Sequence, residues 1–531
     1  MKMKYTILVA SMLTILLSGC SKKTEEAASD LAATEAVAAD TSVEAEAYGS
    51  EGNTENYQKN EQNTVKSVAK EPVSTFSADV DTGSYANVRR FLTQDKTLPP
   101  VDAVRVEEMI NYFNYHYPQP IGQHPFSVNT ETVDSPWQAN AKVIRIGIQA
   151  KNIDQKQLPP ANLVFLVDVS GSMDEEKKLP LVKKTLTILT EQLRPQDKVT
   201  LITYSGHEEI VLEPTSGNEK SKILNAINEL SASGSTSGES AIQMAYQEAQ
   251  KTFIKNGINR ILIATDGDFN VGITDFDTLK NMIAEKRKTG ISFTTLGFGR
   301  GNYDEQLMEQ LADAGDGNYS YIDNENEAKK VLKQQLSSTL ATVAQDVKIQ
   351  VEFNPATVKE YRLIGYENRM LQQEDFNNDQ VDAGDIGAGH TVTALYEIIP
   401  TGQKGWLADS RYQNEAKAQA SKAEYAHLNL RYKLPNTAKS ILLTQPIAAS
   451  SMPLTQASAD TRFALAVASY GQRLKGGKYN GAMGWDDIVQ LAQSAKQPDE
   501  FGLKDEFIGL LKKAKSLSSD KPTVQQVNRA S

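Results

Sequence analysis

The spacing of hydrophobic positions changes several times along this chain, and each change marks a different kind of structure. Between residues 161 and 343, short apolar runs at 163–167, 199–204, 209–212, 260–265, 291–297 and 318–322 alternate with longer segments. In those longer segments, at 179–192, 221–230, 239–253, 275–288, 303–313 and 325–343, apolar residues recur every three or four positions. The first pattern predicts strands buried on both faces, and the second predicts helices packed over them. Together they predict a doubly wound, Rossmann-like α/β domain with a mostly parallel sheet. Ligands of such sheets sit beyond the carboxyl ends of the strands.

On both sides of this unit the period drops to two. In AKVIRIGIQAK, Ile144, Ile146 and Ile148 alternate with Val143, Arg145, Gly147 and Gln149, and HPFSVNTETV before it also reads as a strand. After it, DVKIQVEFNP, TVTALYEIIP and AEYAHLNLRYKL alternate in the same way. Neither set has enough strands to bury an apolar face alone. The expectation is one β-rich domain built from 126–157 and 344–435, with the α/β domain of 158–343 inserted into it. Helical patterns occupy 71–125, where Tyr85, Val88, Phe91 and Leu92 form one stripe and Val104, Val106, Met109, Ile110 and Phe113 another. They return in 436–531, with TRFALAVASYGQRL, WDDIVQLAQSA and DEFIGLLKKAKSL.

The N-terminus adds a location. Lys2 and Lys4 precede an apolar run from Tyr5 to Leu17, then Ser18, Gly19 and Cys20. This reads as an export signal over 1–19, because the run is shorter than the roughly 20 residues a membrane-spanning helix needs. Leu17-Ser18-Gly19-Cys20 resembles a bacterial lipobox, which implies cleavage and acylation of Cys20, the chain's single cysteine. The expected location is the cell envelope, lipid-anchored, and the outer membrane where the organism has two. With no second cysteine no internal disulfide can form, so packing or bound metal must supply stability. Residues 24–70 carry ten acidic residues against three lysines and few large apolar side chains. Residues 20–70 therefore read as an acylated cysteine and a disordered acidic tether, spanning about 40 Å as a coil. A net charge of −11 over 531 residues and the lack of a basic stripe exclude a broad nucleic-acid surface.

The candidate chemistry begins where the strand of LVFLVDVSGSM ends. Asp168, Ser170 and Ser172 crowd three short oxygen-bearing side chains on one turn. Such ligands suit Mg²⁺, which takes about six oxygens at close to 2.1 Å. SASGSTSGES adds Thr236 between two glycines, and ILIATDGDFNVG adds Asp266 at another strand end. DVSGS, GST and TDG, in this order, resemble the metal-ion-dependent adhesion site of the von Willebrand factor type A domain across roughly 180 residues. The resemblance implies metal ligation by Asp168, Ser170, Ser172, Thr236 and Asp266, the last directly or through water, with Mg²⁺ bound and Mn²⁺ or Ca²⁺ as substitutes. STFSADVDTGSYANVRRFL before the domain and GYENRMLQQEDFNNDQVDAGDIGAGHTVTALYE after it resemble a family of bacterial von Willebrand type A lipoproteins with extra N- and C-terminal segments.

Other motifs carry less. Asp79 and Asp81 have the spacing of phosphoaspartyl hydrolases, but Gly83 stands where Thr or Val is needed. A capping role for Asp81 or Thr82 at the helix near Ser84 is the better reading. Asp375, Asn377 and Asp379 have calcium-loop spacing, but Gln380 and Ile386 replace the required Gly and Glu, so a polar loop is expected. Thr236 in GSTSG, His207 and His390 offer no convincing nucleophile and base. The expected function is a protein-binding module, not an enzyme, whose metal accepts an Asp or Glu carboxylate from a partner protein and which meets the membrane only through its lipid. The rivals are a structural subunit with metal-independent docking and an unrecognised hydrolase.

Overall fold

The computed structural model describes residues 55–235, 238–267, 276–334, 341–408, 422–435 and 437–519. The chain divides into two units, Met1–Ser50 and Glu51–Ser531, and every described residue lies in the second. Its strands, in chain order, are β1 (Lys66–Ser67), β2 (Val73–Ser77), β3 (Phe126–Asp134), β4 (Lys142–Ala150), β5 (Ala161–Asp168), β6 (Lys198–Ser205), β7 (His207–Ser216) and β8 (Ile258–Thr265). They continue as β9 (Ser292–Phe298), β10 (Tyr319–Ile322), β11 (Thr342–Phe353), β12 (Val358–Ile364), β13 (Ile386–Gly387), β14 (Thr391–Pro400), β15 (Glu424–Lys433) and β16 (Ser440–Ala448).

The α/β domain holds a six-stranded sheet in the order β10-β9-β8-β5-β6-β7. All its pairings are parallel except that of β6 with β7. Alternate residues of β5 serve opposite cores, as the two-residue period of a strand requires. Leu163, Phe165 and Val167 pack with Val182 and Leu186 of the helix Leu179–Gln192. Val164 and Leu166 pack with Ile242 and Ala245 of the helix Gly238–Lys251. Central β5 therefore delivers Asp168 to the carboxyl edge of the sheet.

Strands from both sides of this domain form two further sheets. One runs β1-β12-β14-β4-β3, and the other has β13-β11-β15-β16 with β2 also paired to β11. β4 pairs antiparallel with β14 from Lys142↔Ile398 to Gln149↔Thr391, so chain leaving the α/β domain closes a sheet begun before entering it. The two sheets stack face to face, with Ile144, Ile146 and Ile148 sharing one core with Ile349, Val351 and Phe353. The opposite face of β4 is not exposed to solvent. It lies under the helices Val106–Asn111, Ala459–Leu474, Trp485–Ser494 and Leu503–Ser519. Arg145 is buried there, donating from Nε to Thr461 Oγ1 at 2.7 Å and stacking on Tyr117, which meets the requirement that a buried charge be hydrogen-bonded.

Three boundaries and one helix cap differ from the sequence expectation. Residues 55–70 are not part of the tether expected over 20–70. They lie on the folded body, where β1 pairs with β12 and Val68 is buried, because backbone pairing and one valine suffice where the rest of the stretch is polar. The β-rich part extends past 435, since β16 pairs with β15 along its length. The helix expected over 325–343 is observed as Glu325–Gln334, and β11 begins at Thr342, recruited by β15 and β2. The helix beginning at Gly83 has Thr82 at its cap position without a capping side-chain bond, and Asp81 does not cap it either. Instead Glu108 accepts the Ser84 N–H at 2.8 Å, a partner distant in sequence.

Candidate metal centre

The turn after β5 is shaped by Asp168 itself. Its Oδ1 accepts the backbone N–H of Ser170 at 2.9 Å, and its Oδ2 accepts the Thr265 hydroxyl, from the end of β8, at 2.9 Å. The Ser170 and Ser172 hydroxyl oxygens lie 3.1 Å apart on the same turn. The Gly171 N–H donates to Gly234 O at 3.0 Å and the Ser233 N–H to Val169 O at 2.7 Å, which ties the second loop to the first. Asp266 follows Thr265 directly, so the pairing of β5 with β8 brings the two aspartates to one edge. Thr236 and Cys20 lie outside the described residues.

Both aspartates are fully buried, whereas the strand end was expected at the surface. Burial pushes the Asp168 carboxyl up to about 6, with the Asp266 charge adding to the rise and the hydrogen bonds from Ser170 and Thr265 opposing it. The local counter-charge is Lys178, which sequence reasoning missed. Its Nζ donates to Asp266 Oδ2 at 3.0 Å and lies 3.3 Å from Glu175 Oε1 and 3.4 Å from Asn302 Oδ1. Asn302 Nδ2 also reaches Asp266 Oδ2, at 3.2 Å. Gly299, at φ +80°, is what lets the lysine stem pass, since a Cβ there would stand 2.5 Å from Lys178 Cε. A lysine pair ahead of an apolar helix reads as surface charge, so only the fold turns Lys178 inward.

The described donors are carboxylate and hydroxyl oxygens alone, the chemistry that a hard divalent cation takes. Lys178 pairs with Asp266, while the Asp168 carboxylate is held by the Ser170 N–H and the Thr265 hydroxyl. The residues therefore fit a bound cation, which would supply an open coordination position for an anionic group.

The remaining motifs have other partners. Asp81 Oδ1 accepts the Tyr319 N–H of β10 at 2.8 Å, and its Oδ2 pairs with Arg369 at 2.9 Å. It belongs to a buried junction where Arg369 also meets Asp79, Glu309 and Asp313, and Arg105 meets Glu108, Glu305 and Glu309. Six carboxylates thus share two guanidiniums between the N-terminal segment, the helix Glu305–Ala314 and the loop after β12. In the stretch that has calcium-loop spacing, the Asp375 and Asn378 carbonyls accept from Lys348 Nζ and Asp379 pairs with Arg431, the polar loop that was expected. His207 is exposed at the start of β7, and the ring nitrogens of His390 are buried without a hydrogen-bond partner.

Known proteins resemble this chain. The von Willebrand factor type A domain model matches residues 162–334, a model described as von Willebrand factor matches 51–145, and one described as "Uncharacterized protein YfbK, C-terminal" matches 338–517. Domains of the type A class generally mediate protein–protein interaction, commonly bind a divalent metal at this motif, and are typically interaction modules rather than enzymes. The protein sll0103 of Synechocystis sp. is 28% identical over 207 residues, covering 39% of this chain and 48% of that one. The solved von Willebrand factor type A structure from Catenulispora acidiphila aligns with 74% of this chain and 98% of its own, at 14% identity and a TM-score of 0.39. The protein YfbK of Escherichia coli K12 is 47% identical over 473 residues, covering 87% of this chain and 81% of that one. With that identity across most of both chains, and a type A domain set between the same flanking segments, this chain belongs to the YfbK family of von Willebrand factor type A proteins.

Proposed function

We propose that this protein is an envelope-anchored binding module that recognises an acidic residue of a partner protein through a divalent cation held at Asp168, Ser170, Ser172, Thr236 and Asp266. The observation that carries this reading is the pair of buried aspartates at adjacent strand ends, with the two serine hydroxyls on the same turn as Asp168. Mg²⁺ suits so compact a set of oxygens, and Mn²⁺ or Ca²⁺ would substitute. The chain's own residues do the preparatory work: Thr265 and the Ser170 N–H orient the Asp168 carboxylate, while Lys178 and Asn302 orient that of Asp266.

Mg²⁺ added to the purified protein is expected to raise its melting temperature in proportion to the logarithm of concentration above the dissociation constant. Asp168→Asn should remove most of that shift by deleting a charge at nearly constant shape. Ser172→Ala, which deletes a neutral oxygen, should remove less. Capture of partner proteins from envelope extracts should follow the same order and be reversed by EDTA. A wild type with no metal-dependent shift would end the metal reading, and a complex indifferent to EDTA would favour metal-independent docking.

The anchoring half of the proposal rests on Cys20 behind an export signal. Metabolic labelling with a fatty-acid probe is expected to mark the wild type and not Cys20→Ser. Equal labelling of both would sink it.

A further inference from the structure

Residues Glu55, Asn56 and Tyr57, where the acidic N-terminal stretch meets the folded body, lie along the loop 299–305 that borders the candidate metal centre. The Asn56 N–H donates to Tyr303 O at 3.0 Å, and the Asn56 carbonyl accepts the Glu305 N–H at 3.1 Å. These two bonds form a parallel bridge opposite Asp304. The Glu55 side chain, only 2% exposed, is gripped from two sides. Its Oε1 accepts the Gly301 N–H at 2.8 Å, while its Oε2 accepts from Arg90 and from the Tyr57 hydroxyl, both at 2.7 Å. Asn87 Nδ2 donates to the same hydroxyl at 2.8 Å.

The loop that carries this arm touches the metal centre with its other side. Asn302 contacts both Asp266 and Lys178, as described above. The Asp304 backbone nitrogen lies so close to Gly267, at φ +84°, that a Cβ there would approach it to 2.8 Å. A continuous set of hydrogen bonds and close packing thus runs from Glu55 and Asn56 through 301–304 to the residue after Asp266. The arm is held mainly by polar contacts: the two backbone bonds of Asn56, the Glu55 carboxylate between Arg90 and Gly301, and the Tyr57 hydroxyl at Asn87 and Arg90, with the Tyr57 ring, near Phe91, its one large side chain. Elements held by so few apolar contacts are the ones that open locally without global unfolding.

We propose that Glu55–Asn56–Tyr57 is a positioning element of the metal centre. Docked, it fixes the loop so that Asn302 and Lys178 hold Asp266 in its liganding orientation. Released, it lets the loop relax, and cation affinity falls. This rests on the metal reading above and adds a regulator to it. Because the arm continues the acidic stretch behind Cys20, anything that draws on that stretch weakens the site. Linkage makes the effect reciprocal, so the cation must also tighten the arm.

The test uses the full chain in detergent, with Mg²⁺ alone as the probe. Calorimetric titration compares wild type with Asn56→Pro, which deletes the donor to Tyr303, and with Glu55→Gln, which keeps the shape and loses the charge. Weakening of Mg²⁺ binding by about tenfold is expected for Asn56→Pro, at the lower end of ordinary coupling energies, and by less for Glu55→Gln. The metal-free melting temperature should fall in Glu55→Gln, because Arg90 loses a buried partner, so Mg²⁺ affinities are compared at a temperature where both proteins are folded. In the wild type, hydrogen exchange at the Asn56, Gly301 and Glu305 amides should slow when Mg²⁺ is added, a response that a merely structural arm would not give and that needs no variant. Unchanged affinity in both variants together with metal-independent exchange would overturn the coupling while leaving the metal site standing. A wild type that binds no divalent cation would end both.

Discussion

Replacing Arg369 with Gln is expected to lower the stability of the folded body by about 3–5 kcal/mol, the range for breaking a buried ion pair by removing one partner. Arg369 is held between Asp79, Asp81, Glu309 and Asp313. Without it Asp79, Asp81 and Asp313 lose the guanidinium that pairs them, and Glu309 keeps only Arg105, which Glu108 and Glu305 also share. Arg369→Lys should rescue only part of the loss, because a point ammonium cannot fork to acids on two sides. The measurement is the midpoint of the first urea-induced transition. A shift worth under about 1 kcal/mol would mean that the acids protonate and repack without needing the arginine. The residue joins the loop after β12 to both the N-terminal segment and a helix of the α/β domain, so loss of the inserted domain's docking should be the first event.

The same junction is expected to make stability fall as pH rises from about 5 to about 8. Burial and neighbouring acids push Glu107 up to about 7. Burial, together with Glu305 and Asp313, pushes Glu309 up to about 8 against the pull of Arg105 and Arg369. Asp81 and Glu108 are raised as well, burial again being the largest cause. An acid whose folded value lies above its unfolded one stabilises the fold fully below the unfolded value. That contribution is lost as pH climbs through the folded value. The combined loss is on the order of 5 kcal/mol by linkage, shared among interacting groups rather than owned by any one. Lys330, lowered to about 8 mainly by burial, acts in the opposite direction only above that pH. Melting temperatures measured from pH 5 to pH 9 should therefore fall most steeply between 6 and 8. Glu309→Gln, which carries no charge to bury, should flatten the profile and stabilise the protein at pH 8. A flat wild-type profile, or a variant with an unchanged slope, would show that the junction does not govern the pH response.

Much of this architecture is legible in residue order because it follows from local periodicity. The apolar runs that became β5, β6, β8 and β9 could only be strands buried on both faces, so the sheet and the edge that carries Asp168 follow from them. The alternation of Ile144, Ile146 and Ile148 likewise called for a β-rich domain completed by strands from beyond the α/β domain, and β4 pairs with β14. That Asp168, Ser170, Ser172 and Asp266 gather at one edge of the sheet was readable because all lie at, or within four residues of, a strand end. What the sequence hid is what depends on partners far along the chain. The alternation in β4 does not say what covers Arg145; helices from the C-terminal region lie over that face and Thr461 satisfies the guanidinium. Asp81 read as a helix cap, but β10 and Arg369 took its carboxylate. Residues 55–70 read as tether because their composition is polar, while backbone pairing, which composition does not report, docks them. Lys178 read as surface charge until the fold laid its stem across Gly299 and its ammonium against Asp266. The sequence by itself determined the periodic elements and the oxygen-bearing residues that end them, because those depend on neighbours within a few residues. The tertiary structure alone decided which charges are buried and who neutralises them, because desolvation and ion pairing depend on what the rest of the chain brings within a few ångströms.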